Sequence, residues 1–411
     1  MKKRLPVLLL LLALLLSASV AAACGSPSGD SSAETSAPAE SLPAESTEPE
    51  TGTVFLPSLF ALEETDPVVD IHTDGQKQFL SGPNGSIGKY ASGNKDISQP
   101  EPLLIRFRFS EGQLPENADP CTEFEVLLDT DESFPHPFVR TVPYPGEGDG
   151  FQASFDNLLL DQSYFWKVQA VCGNIRFESA AMTFRTNDVP PRNLRVDGIC
   201  NVRDLGGWKI DETHRVKQGM LFRGAAFDDP KYDAYATPEG IRRAREELGV
   251  HTEIELRWVD VGETPHRRRS LLGNDITYYE FQFNYSDDQL LEGNAESIAK
   301  CFRVFSNASA YPVYYHCRIG TDRTGVLTYL LFGLLGMDQE SIQRDYLFSN
   351  FGYVGGQRLI STIQSAYLDI LESYEGETLQ DKVLYFLHEK CGLDDGTLDR
   401  VRNLLIEEIP A

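Results

Sequence analysis

A chain of 411 residues is long enough for two or three domains. Its 62 acidic residues against 37 basic ones give a formal net charge of −25, which excludes a broad nucleic-acid-binding surface, since that requires a basic face. A hydrophobic fraction of 41% with 10% aromatics is that of packed globular domains and excludes a chain disordered throughout.

Lys2, Lys3 and Arg4 precede an almost unbroken leucine run from Leu8 to Leu16, and small residues then lead to Ala21, Ala22, Ala23 and Cys24. The run is shorter than the roughly 20 residues of a membrane span, so residues 1–23 are expected to be an export signal. Small residues directly before a cysteine, followed by Gly25 and Ser26, resemble the lipobox of bacterial lipoproteins. That resemblance implies cleavage before Cys24, a lipid on its thiol, and a place at the bacterial cell surface anchored to the membrane. Ala21 stands where leucine is usual, and the alternative is ordinary secretion after cleavage near Ala23. Residues 24–53, rich in Ser, Pro, Ala, Thr, Glu and Gly, bury no core and are expected to form a disordered acidic spacer.

From residue 66 to 186 the pattern is that of strands. Leu103 to Phe109, Thr122 to Thr130 and Ser163 to Val171 alternate, and Ser179 to Thr186 closes the run. Short alternating strands between turn signals predict an all-β sandwich. Leu160 and Tyr164 resemble the tyrosine corner of fibronectin type III domains, which implies a spacing or binding module whose partner is unknown. Cys121 and Cys172 fall in this segment and could pair, although spacing alone does not prove it.

Asn187 to Asn193, with Pro190 and Pro191, marks a domain boundary, and residues 195–411 change to an α/β pattern. Thr237 is an N-cap, Pro238 opens a helix and Gly249 stops it. Strands are predicted over Val250 to Leu256, Ile276 to Phe283 and Tyr311 to His316, a helix over Ser297 to Phe305, and further helices near 339–350, 357–374, 378–390 and 397–408. Strands alternating with helices predict a mainly parallel sheet flanked by helices.

Cys317 follows a predicted strand, and Arg323, Thr324 and Gly325 open an apolar helical pattern through Leu335. A disulfide, a metal ligand and a nucleophile are the three uses open to such a thiol. A zinc site needs several Cys or His at short spacing, and no such group is present. The loop lies between a strand end and a helix start, where ligands of α/β sheets bind. Unpaired amides and the positive helix end attract an anion there. Arg323 adds a planar fork for two phosphate oxygens. The same field favours a thiolate, which facing a bound phosphate is a nucleophile. No cofactor and no metal are required.

"HCRIGTDRTG" resembles the Cys-x5-Arg loop of cysteine-dependent phosphatases. With "ICNVRDLGGW" (Ile199 to Trp208), "VKQGMLFRGAAF" (Val216 to Phe227) and "IQRDYLFSN" (Ile342 to Asn350), it is similar to the bacterial tyrosine-protein phosphatase family over about residues 195 to 390. The resemblance implies hydrolysis of phosphomonoesters, first of all protein phosphotyrosine, through phosphocysteine at Cys317. Arg323 would hold the phosphoryl oxygens, within a loop made of His316, Arg318, Ile319, Gly320, Thr321, Thr324 and Gly325. His316 would support the thiolate and Thr324 would bond the sulfur. Asn201, Arg203, Asp204 and Arg223 would brace the loop. The general acid is expected to be Asp322, the family's loop aspartate, with Asp287 and Asp288 the alternative. The family's loop lysine is Thr321 here, which weakens the case for the alternative substrates, inositol phosphates and phosphoinositides, although Arg318 restores some positive potential. A binding protein with an inactive site is the remaining reading, and the Cys317/Arg323 pair speaks against it. Arg267 to Arg269 and Glu263 read as solvated surface rather than as site residues. Cys200, beside the Asn-x-Arg-Asp motif, is expected near the site, where it could trap oxidised Cys317 as a disulfide.

Overall fold

The structure, a computed structural model, describes residues 52–91, 95–148, 150–229, 234–257, 267–286, 289–352 and 356–409. The expected export signal, Cys24, all but the last two residues of the spacer, Glu263, Asp287 and Asp288 lie outside the described residues. Among the described residues no helix is long and apolar enough to cross a membrane.

The N-terminal region is strand-rich. Strands β1 (Leu103–Phe109), β2 (Cys121–Asp129) and β3 (Ser163–Cys172) fall where alternation predicts them. β1 joins Phe60–Leu62 and Gly150–Phe155 in a three-stranded sheet, and β2 and β3 pair antiparallel in a seven-stranded one. The alternation buries one face of each: Ile105, Phe107 and Phe109 meet Phe124, Val126, Trp166 and Val168 in one core. Cys121 and Cys172 sit opposite each other across β2 and β3 and form a disulfide. The Tyr164 hydroxyl accepts from the Leu159 amide at 2.9 Å, closing the corner before β3.

Part of this N-terminal stretch is not strand. Helix α1 (Asp74–Leu80) and the turns over Asn84–Lys89 carry Phe79, Leu80 and Ile87 into the core of the following α/β region. That core would otherwise have an open apolar side against the Phe348 to Phe351 segment, on which Phe79 packs with ring centroids 5.9 Å apart.

The second sheet has six strands. They are β4 (Arg192–Asn193), β5 (Arg203–Asp204), β6 (Leu221–Ala225), β7 (Thr252–Glu255), β8 (Thr277–Glu280) and β9 (Val313–Cys317), in the order β4-β5-β6-β9-β7-β8. The expectation of a mainly parallel sheet is corrected: the sheet is mixed. β6, β9, β7 and β8 are parallel, whereas β4 and β5 add antiparallel at one edge. Their connection from Leu194 to Val202 is too short for the crossover that a parallel pair needs, so the chain doubles back. Helix α2 (Ala295–Phe305) flanks the sheet, and α3 (Asp322–Leu335) follows β9. Every residue of α3 is buried, as a helix apolar all round demands. α4 (Gln339–Phe348) follows, capped by Asp338, whose side chain accepts from Ser341 N. Thr237 likewise caps the helix over Pro238–Arg242 through Gly240 N. The last predicted helix ends at Leu405, and Ile406–Glu408 becomes a strand paired with His214–Val216.

Candidate active site

β9 is a central strand, and its C-terminal residue is Cys317, 2% exposed. The chain turns through Arg318 to Thr321 and starts α3 at Asp322. Gly320 makes the turn possible: its φ is +67°, and a Cβ there would lie 2.3 Å from the Gly224 carbonyl carbon and oxygen.

Three carbonyls of the loop are pinned on one side. Asn201 Nδ2 donates to Ile319 O at 3.0 Å and to Gly320 O at 3.1 Å. Arg223 Nη2 donates to Gly320 O at 2.8 Å and to Thr321 O at 3.3 Å. In a trans peptide the N–H points opposite to the C=O, so the amides of Gly320, Thr321 and Asp322 turn to the other face of the loop. That face, at the start of α3, is a nest for an anion. Asn201 can do this because it holds φ +59° and its own amide donates to Ser98 Oγ at 2.9 Å.

Behind these donors stands Asp345 on α4. It accepts from Arg203 Nε at 2.8 Å and from Arg223 Nη1 at 2.8 Å, and all three side chains are buried. Arg203 also reaches Asn201 Oδ1 at 2.6 Å and Ser349 Oγ at 3.1 Å. Burial alone would push the Asp345 carboxyl up, but Arg203 and Arg223 outweigh it and hold the carboxyl below its ordinary range. Asn201, Arg203 and Arg223 thus come together beside the loop. Asp204 does not. It pairs with Arg192 at 2.6 Å and accepts from Gly206 and Gly219 amides, while Arg192 donates to the carbonyls of Asn157 and Leu158. Its work is to tie the sheet edge to the strand-rich region.

The other side of the loop is held by polar and ionic contacts. His316 Nε2 meets Glu253 Oε1 at 2.9 Å, and both side chains are fully buried. Glu253 is fixed in turn by Ser270. Arg318 pairs with Asp229 at 2.8 Å, and Arg257 bridges Glu255 to Asp228. Arg318 is therefore engaged by a carboxylate. Arg267 is paired with Asp228 rather than solvated, and burial lowers its guanidinium from the ordinary value. Thr321 is buried, bonded by Asn201, with its own hydroxyl donating to Ile319 O. The Thr324 hydroxyl is buried and has no hydrogen-bond partner among the described residues. Cys200 is half-buried and is not part of a disulfide among the described residues, and its carbonyl accepts from Ala225 N, the residue paired with Cys317 across the sheet.

Asp322 is surrounded by donors. Arg358 Nε and Nη2 reach its two oxygens at 3.1 and 3.3 Å, and the hydroxyls of Tyr285 and Tyr346 each donate at 3.2 Å. The Arg323 guanidinium lies over the Tyr285 ring, 5.3 Å from its centroid. The Tyr285 hydroxyl is pushed up to about 12, first by burial and then by the charge of Asp322, with Cys317 also contributing. Asp345, Tyr285 and Arg358 escape a reading of the sequence alone. Asp345 lies inside the "IQRDYLFSN" motif, which could have flagged it; Tyr285 and Arg358 carry no such signal.

Residues 194–407 match the model of the tyrosine phosphatase family. A protein of Cupriavidus necator whose name assigns it to the tyrosine-protein phosphatases is 26% identical over 189 residues, 38% of this chain and 63% of that protein. The chain therefore spans less than two thirds of that relative's length. Among solved structures, the core catalytic domain of a PP-IP phosphatase from S. cerevisiae is 15% identical with a TM-score of 0.26, covering 40% of this chain and 88% of the other. TpbA of P. aeruginosa is 15% identical with a TM-score of 0.25, covering 40% and 85%. With the match to residues 194–407 taking in the loop of Cys317, its Asn201, Arg203 and Arg223 braces and the Asp345 that joins them, this chain belongs to the tyrosine phosphatase family.

Proposed function

We propose that the protein hydrolyses phosphomonoesters, with protein phosphotyrosine as its main substrate, through a phosphocysteine at Cys317. The observation that carries this reading is the pinning of three consecutive loop carbonyls by Asn201 and Arg223, which turns the loop amides to one face beside Cys317. In the proposed reaction the Cys317 thiolate attacks phosphorus, the ester oxygen leaves and takes a proton, and water then releases phosphate from sulfur. Arg323 and the loop amides hold the phosphoryl oxygens as their charge develops.

The single-phosphate reading is favoured by Thr321 and Arg318. The first is buried where the family carries lysine, and the second is paired with Asp229. Asp322 and the Asp287/Asp288 pair remain the candidates for the acid. To donate a proton Asp322 must first part from Arg358, and Tyr285, which bonds it, stands two positions before Asp287. The same proposal places the protein outside the cell, lipid-anchored through Cys24, with residues 24–53 as spacer. Residues 66–186 then serve as a fibronectin-like module ahead of a catalytic domain over 195–411. The Tyr164 corner bond and the single core shared by two sheets support the module.

The test is phosphate release by the chain lacking residues 1–23, beside Cys317→Ser, from an aryl phosphate, phosphotyrosine peptides and inositol phosphates. Cys317-dependent release from the peptides supports the reading. Release from inositol phosphates alone moves the substrate, and no release from any of them returns the binding-protein alternative.

A further inference from the structure

We propose that Tyr285 is a positioning residue that presets Arg323 for an oxyanion, and that Asp322 is the anchor which holds Tyr285 in place. This deepens the phosphatase reading and rests on it for its catalytic consequence.

Arg323 is expected to bind phosphate through N–H groups on the edge of its planar fork. A flexible side chain must first be ordered to do so, and the binding free energy is reduced by that ordering. The aromatic ring of Tyr285 lies beneath the guanidinium carbon at 5.3 Å, within cation–π range. Such a contact attracts the cation without consuming its N–H donors, so it can orient the fork and leave it competent for an anion. The ring can act only if it is itself fixed. Tyr285 is 48% exposed, so packing covers only part of it. Its hydroxyl is held by donation to Asp322 Oδ2 at 3.2 Å. Asp322 is in turn fixed by Arg358 at 3.1 and 3.3 Å and by the Tyr346 hydroxyl at 3.2 Å. Tyr346 is 2% exposed and stands one residue after Asp345, which carries the inner brace. The outer chain Tyr346/Arg358–Asp322–Tyr285–Arg323 thus orders the arginine of the loop, while Asn201, Arg203 and Arg223 order its backbone. A carboxylate that receives three donor side chains at the loop is accounted for by this anchoring.

The experiment measures tungstate affinity calorimetrically, and kcat and KM for an aryl phosphate, on the chain lacking residues 1–23. The variants are Tyr285→Leu, Tyr285→Phe, Asp322→Asn and the double Tyr285→Phe/Asp322→Asn. Loss of the ring in Tyr285→Leu is expected to weaken tungstate about tenfold, with kcat/KM falling at least as much and the thermal midpoint unchanged at this half-exposed position. Tyr285→Phe keeps the ring and loses the anchor, so its loss is smaller. Because Tyr285→Phe and Asp322→Asn break one shared bond, the double variant should be no worse than the worse single. Wild-type tungstate affinity and kcat/KM in Tyr285→Leu, or losses that add in the double variant, overturn the proposal. A wild type that binds tungstate in a Tyr285-dependent way yet releases no phosphate leaves the positioning role standing and removes the phosphatase reading.

Discussion

Replacing Asp345 by asparagine removes the one carboxylate shared by two buried arginines. Its oxygens receive Arg203 Nε at 2.8 Å, Arg203 Nη2 at 3.2 Å and Arg223 Nη1 at 2.8 Å. The side chains of Asp345, Arg203 and Arg223 are at most 1% exposed, so no water takes over. An isosteric amide keeps one acceptor and leaves two guanidinium charges with no anion in a low-dielectric site. Breaking a buried pair in this way costs about 3–5 kcal/mol. With a urea m-value of about 3 kcal/mol/M, the unfolding midpoint should fall by roughly 1–2 M. The buried indole of Trp208 packs in the same core and reports the transition by fluorescence. Activity should fall further than the folded fraction explains, because Arg223 then loses the alignment that pins Gly320 O. A displacement of about 1 Å at such a loop costs on the order of a hundredfold. An Asp345→Asn protein with the wild-type midpoint and wild-type kcat/KM would refute the brace. The sign with pH follows from the depressed carboxyl: the stabilisation is full above the ordinary carboxylate range and is lost as pH falls through the lower folded value. The stability difference between wild type and Asp345→Asn should therefore shrink on acidification, as acid-to-neutral urea titrations will show.

Gly320→Ala should abolish activity and lower stability, since the new methyl meets the Gly224 carbonyl at 2.3 Å in a left-handed backbone; circular dichroism melts and kcat/KM check it. Reducing the Cys121–Cys172 disulfide, which closes a separation of 51 residues, should cost about 4 kcal/mol in the strand-rich region while leaving Cys317-dependent chemistry intact, measured by urea unfolding with and without reductant. Asp204→Ala should loosen the joint to Asn157 and Leu158 through Arg192 and so lower the thermal midpoint more than it lowers kcat/KM of the folded protein.

Much of the framework around the loop was legible because it is local. Strand, loop and helix around Cys317 are neighbours in sequence, and the positive φ of Gly320 is what a glycine in a tight loop signals. The strands β1, β2 and β3 were equally plain, since each buries one face and alternates. Less visible was whatever depends on distant segments meeting. Asp204 neighbours Arg203 yet serves Arg192 and the strand-rich region, a division made by which side of a two-residue strand each side chain occupies. Helix α1 precedes β1, β2 and β3 but completes the other core, an arrangement no local pattern encodes. Tyr285 and Arg358 reach Asp322 from loops of 37 and 36 residues' separation, without periodicity to mark them.

Trapping the intermediate decides whether Cys317 carries the phosphoryl group. The chain lacking residues 1–23 is mixed with a phosphotyrosine peptide, quenched in acid within a turnover and mapped by mass spectrometry. A phosphoryl group is expected on the peptide containing Cys317, and none in Cys317→Ser. Phosphate release that proceeds in Cys317→Ser, or a phosphoryl group on any other residue, would contradict it.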